Sequence, residues 1–78
     1  MKYAKLRAIL EWMNTADPRA DYLIYYDTLI AGQADYNGTL QTIDDILSAW
    51  RAHENKRGHR AQAKAITRIK AKILLLYD

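Results

Sequence analysis

Apolar side chains recur at helical spacing along most of the chain. Tyr3, Leu6, Leu10 and Met13 follow one another at intervals of three and four, with Ile9 and Trp12 widening the stripe, which predicts a first helix from Lys2 to Asn14. Asp17-Pro18 reads as the start of a second helix, because the carboxylate can accept from free amides and proline at the first helical position has no N–H to satisfy. Its apolar side is expected to hold Tyr22, Tyr25, Tyr26, Leu29 and Ile30, with Asp21 and Asp27 elsewhere and Gly32 as a left-handed stop. Tyr36-Asn37-Gly38 reads as a turn, since Asn and Gly tolerate positive φ, and Thr39 or Thr42 is placed to cap the helix that follows. That third helix carries Leu40, Ile43, Ile46, Leu47 and Trp50 inward and is expected to end near Gly58. Over residues 61–77, Gln62, Ile66, Ile69, Ile73 and Leu76 alternate steps of four and three, a heptad-like seam. Lasting only about two heptads, it suits packing within a bundle better than a coiled coil.

The pattern predicts an all-α fold, a compact bundle of about four short helices forming one domain over residues 1–78. No internal repeat or low-complexity linker interrupts it. Hydrophobic residues make up 50% of the chain and charged residues 27%, too apolar a mixture for a disordered tail. With 78 residues and no cysteine, the chain lies near the smallest size that folds without a staple. The missing cysteines exclude a disulfide framework, a thiolate zinc site, an iron–sulfur cluster and a cysteine nucleophile. No apolar run approaches the roughly 20 residues of a membrane span, and the first residues lack the continuous apolar core of a secretory signal. A cytoplasmic location without membrane contact is therefore expected.

Residues that could carry chemistry are few. His53 and His59 straddle Gly58 without helical ligand spacing, and a metal site there would need Glu54 brought round by the turn. Asp35, Asn37 and Thr39 imitate the opening of a calcium loop, but the sixth position is Leu40 and the twelfth is Ile46, where glycine and glutamate are required. Asp44 and Asp45 are adjacent, about 100° apart on a helix, and so do not converge on one bond; favourable charge in a first helical turn is their simpler role. Ser48 has no glycine elbow to expose it, and no glycine loop could cradle a phosphate. We expect no enzymatic activity, no metal and no cofactor. No motif carries a family resemblance.

Charge and aromatic content leave two surfaces. Residues 1–50 hold four basic and seven acidic side chains, a balance of −3, whereas residues 51–78 hold eight and two, a balance of +6. Arg60, Lys64 and Arg68, followed by Lys72, form an i, i+4 ridge, and Arg51, Lys56, Arg57, Arg60, Lys64 and Arg68 are the candidate phosphate-binding residues of a nucleic-acid reading. A helix-turn-helix is poorly supported, because the connection from Ala31 to Thr39 exceeds the usual three or four residues. Six tyrosines and two tryptophans favour the other reading, a protein-binding surface on Tyr22, Tyr25, Tyr26 and Trp50. The favoured function is a small helical adaptor, inhibitor or accessory factor whose partner is another protein, with self-association as a further option and nucleic acid as the alternative. Chains of this size often serve as accessory proteins of mobile elements or larger assemblies.

Overall fold

The computed structural model describes residues 1–78 and contains four helices and no strand: α1 Lys2–Ala16, α2 Leu23–Ile30, α3 Tyr36–Lys56 and α4 Arg60–Leu74. The helices group into two units, Met1–Thr39 and Leu40–Asp78.

Pro18 ends a helix instead of starting one. The residue before a proline is driven out of the helical region, and Asp17 sits at φ −134°, ψ 81°, its N–H still donating to the Met13 carbonyl. Consequently α1 runs two residues beyond Asn14, and α2 begins at Leu23, not at Asp17-Pro18 as the sequence pattern predicts. Polar side chains span the intervening loop. Asn14 Oδ1 accepts the Tyr22 N–H at 2.6 Å while its Nδ2 donates to Asp21 Oδ1 at 3.3 Å, and Asp21 Oδ1 also accepts the Leu23 N–H at 3.1 Å. The buried side of α1 is Leu6, Ile9, Leu10 and Met13, and α2 buries Leu29. Tyr3 is exposed beside the buried Tyr36 ring, centroids 5.5 Å apart. Ile30, expected inward, is 58% exposed, because a helix apolar on nearly every side gives no period from which to choose its inner face.

Two of the three glycines act as stops. Gly32 and Gly58 adopt φ of +74° and +77°, where an L side chain is strained. At each, the next residue's N–H reaches back to a helix carbonyl, Gln33 to Thr28 at 3.1 Å and His59 to Glu54 at 2.8 Å, completing a Schellman motif with the Gly32-to-Leu29 and Gly58-to-Asn55 bonds that span two residues fewer. Gly38 behaves otherwise. Tyr36-Asn37-Gly38 is the first turn of α3, and neither Thr39 nor Thr42 caps that helix. Asp35 does so: its Oδ2 accepts the Gly38 N–H at 2.7 Å and its carbonyl accepts the Thr39 N–H at 2.9 Å. An aspartate one residue before the apparent turn outweighs the φ tolerance of Asn-Gly. With α3 starting at Tyr36, Asp44 and Asp45 fall in its third turn and do not serve as first-turn charges.

In the second unit α3 and α4 form an antiparallel hairpin about Gly58. Glu54 meets His59, Arg51 meets Thr67 and Asp44 meets Lys70 as the two helices diverge from the turn. Leu40, Ile43 and Leu47 are buried on α3, and Ala63, Ile66, Ile69 and Ile73 on α4. The seam read from the sequence is thus the buried side of α4, although the helix ends at Leu74 and the buried Leu76 follows in a turn closed by its N–H on the Ile73 carbonyl at 3.0 Å.

Candidate interaction surfaces

On the first unit the three clustered tyrosines are half-buried and turned along the inner flank of α2. The Tyr22 hydroxyl donates to Asp17 Oδ2 at 2.9 Å, and Arg19 Nε approaches Asp17 Oδ1 at 3.4 Å. The Tyr22 bond, more than the nearby guanidinium, holds the Asp17 carboxyl below the usual carboxylate range, while desolvation and the same bond raise the Tyr22 phenol. The Arg7 guanidinium lies over the Tyr26 ring, 5.3 Å from its centroid, and 3.9 Å from Glu11. Lys2 approaches the Tyr36 ring to 4.4 Å. Tyr22 and Tyr26 therefore fasten α2 and the loop before it.

The outward side of α2 is carried by side chains the sequence pattern did not assign to a surface. Ile24 is 57% exposed and Ile30 58% exposed, with the exposed Asp27 between them at i+3 spacing. Over Leu23–Ile30 only Asp27 and Thr28 are polar, and that composition was the available signal.

On the second unit the six candidate phosphate ligands separate. Arg51 is half-buried and its guanidinium reaches Thr67 Oγ1 at 3.5 Å, against α4. Lys56, Arg57, Arg60, Lys64 and Arg68 are exposed, the last three along the solvent side of α4. Arg57 contacts His53 Nε2 at 3.4 Å. The carboxylate nearest in sequence, Glu54, is buried and bound to His59 Nδ1 at 2.7 Å, so it does not neutralise the row. Trp50 is half-buried on α3.

Lys70 stands apart from the ridge. Its side chain is only 17% exposed, and its ammonium donates to Asp44 at 2.9 Å and to Ser48 Oγ, which also engages the one serine considered as a nucleophile. Burial raises the Tyr77 phenol, with Asp44 and Asp45 adding to the shift. His53, His59 and Glu54 do not converge as a metal-ligand set.

The solvent side of α4 changes character along its length. Beyond Arg68 it carries the exposed Ala71 and Lys72, then Leu74 and Leu75, which are 68% and 85% exposed. The run Ile73-Leu74-Leu75-Leu76 is the signal for this second apolar patch, since four consecutive residues cannot share one helical face. No helix is long and apolar enough to cross a membrane. No family model, curated protein or solved structure matches the chain.

Proposed function

We propose that this chain is a non-enzymatic protein-binding module, acting as an adaptor, inhibitor or accessory factor, and that the outer face of α2 grips the partner. The exposure of Ile24 and Ile30 on a helix with only two polar positions carries this reading. A helix apolar around its circumference is ordinarily buried on all sides, and a partner would complete that burial. Tyr22, bonded to Asp17, and Tyr26, beneath Arg7, hold α2 from its inner flank with the half-buried Tyr25 beside them, which lowers the ordering cost of binding. Trp50 lies on the other unit and is assigned no direct role in this face.

Affinity purification from the native host tests the proposal, with proteins quantified for the wild type, an Ile24→Lys/Ile30→Lys variant and an Arg60→Glu/Lys64→Glu variant. The expected result is a partner set lost by the α2 variant and retained by the α4 variant. Retention of every partner by the α2 variant overturns the reading.

A second reading, nucleic-acid binding, is favoured by one observation: the exposed Lys56, Arg57, Arg60, Lys64 and Arg68 continue across the Gly58 turn without a carboxylate partner. Each phosphate neutralised on duplex DNA contributes about −0.9 to the logarithmic salt slope. Under this reading Arg60→Glu/Lys64→Glu abolishes a steeply salt-dependent affinity; under the favoured one, purified protein binds duplex DNA or RNA only weakly at physiological salt.

A further inference from the structure

We infer that the outer face of α2 receives the last turn of α4 from a second copy of this chain. The inference rests on the protein-binding reading and names the partner. Ile24 and Ile30 flank Asp27 on α2, and from Ala20 to Trp50 the chain contains no lysine, arginine or histidine, although Arg7 of α1 reaches the Tyr26 ring on the helix's inner flank. Leu74 and Leu75 form the opposite kind of patch. They follow Arg68 and Lys72 on a helix that carries no carboxylate, and from Asn55 to Tyr77 the chain contains no aspartate or glutamate.

Each patch thus has two exposed aliphatic side chains, one set about an exposed aspartate, Asp27, and the other beside the exposed Lys72 and Arg68. All four aliphatic side chains stand exposed in the single chain. Charge sign determines which pairing is allowed. Two α2 faces meeting about a twofold axis would oppose aspartates to aspartates, and two α4 faces would oppose cations to cations, whereas α2 against α4 seats Leu74 and Leu75 on the isoleucines and brings Lys72 and Arg68 to Asp27. Each copy carries one α2 face and one α4 end, so two copies satisfy both contacts reciprocally in a closed dimer or further copies add in a ring or an open chain. Four aliphatic side chains make a small contact, so association is weak, strengthened at low salt and dependent on concentration.

Sedimentation equilibrium of the full chain, from about 10 µM to about 1 mM at low salt, measures this, because weak contacts of this size fill only towards the upper end of that range. Wild-type mass is expected to rise with concentration beyond the monomer. Ile24→Lys/Ile30→Lys and Leu74→Asp/Leu75→Asp, all at exposed sites and checked for unchanged helicity, each remain monomeric. Mixed in equal amounts they form a dimer and stop there, since one supplies the only working α2 face and the other the only working α4 end. Asp27→Lys and Lys72→Glu each weaken association at least about fivefold, and the two reversals in one chain restore it.

A wild-type chain that stays monomeric throughout overturns the inference, and co-sedimentation of that monomer with phosphatidylserine vesicles would assign Leu74 and Leu75 to a lipid surface. Association that survives the α2 variant overturns it as well. The protein-binding reading fails separately, when the α2 variant keeps every cellular partner, whether or not the wild type self-associates.

Discussion

Glu54 and His59 close the α3–α4 turn twice over. The His59 N–H donates to the Glu54 carbonyl at 2.8 Å, and the His59 ring donates from Nδ1 to Glu54 Oε2 at 2.7 Å. These are the two positions of a Schellman motif at which an apolar contact commonly sits, and here a polar pair occupies them. A carboxylate only accepts, so the hydrogen of this contact belongs to the imidazole.

The pair is asymmetric, and its mutants should be too. Glu54 is buried while the His59 side chain is half exposed. His59→Ala leaves a buried carboxylate without its donor and is expected to cost about 1–2 kcal/mol, whereas Glu54→Gln keeps an acceptor in place and costs less. Gly58→Ala, forced to positive φ, is expected to cost about 1–2 kcal/mol with both side chains intact. Urea midpoints for the three variants check the order.

Gly38 should break the ordinary rule for glycine in helices. Replacing a helical glycine with alanine usually gains about 1 kcal/mol, but a Cβ at Gly38 would lie 3.1 Å from the Asp35 carboxylate oxygen that caps α3. Gly38→Ala is expected to be near neutral in the native sequence. In an Asp35→Ala background, itself about 1 kcal/mol less stable, the same substitution recovers the full gain of about 1 kcal/mol. A thermal-melting double-mutant cycle reads the difference.

Asp44 and Lys70 form the polar link of greatest sequence separation in the second unit, 26 residues apart. Removing the cation by Lys70→Ala leaves a largely buried carboxylate and should cost about 1–3 kcal/mol. Asp44→Leu combined with Lys70→Met should recover most of that loss, because replacing a buried pair by apolar groups avoids desolvating either charge. Chemical denaturation of both variants provides the measurement.

The Tyr22–Asp17 bond has a defined pH window. Asp17 titrates below its ordinary 3.8 in the folded chain, so its contribution is present above about pH 4 and disappears as pH falls through the lowered value. Tyr22 titrates above its ordinary 10.0, so its contribution is complete below about pH 10 and disappears as pH rises through the raised value. The difference in melting temperature between wild type and Tyr22→Phe should be flat between these limits and shrink outside both.

Features legible in the sequence were those with one physical cause. The α4 seam declared itself because Ile66, Ile69 and Ile73 lie on a single face, and Gly32 and Gly58 because only positive φ explains a glycine after a helical run. Misreadings came where two causes competed. Proline both starts and stops helices, and at Pro18 its effect on Asp17 prevailed. Asn-Gly permits a turn, but Asp35 capped the helix before that tolerance was used. Ile30 was assigned inward because α2 lacks a polar stripe, and the same lack makes its outer face the candidate site. The Asp44–Lys70 link had no local signal at all.

Asn14 makes the order of α2 depend on the end of α1. At eight residues α2 is too short to persist by propensity alone, and its first amides are held by Asn14 Oδ1 and by Asp21, which the same asparagine steadies. When the last turn of α1 frays, Tyr22 loses its acceptor in the same event. Amide exchange across Met13 to Leu23 therefore proceeds through one shared opening, and the helix that carries Ile24 and Ile30 is only as ordered as the asparagine behind it.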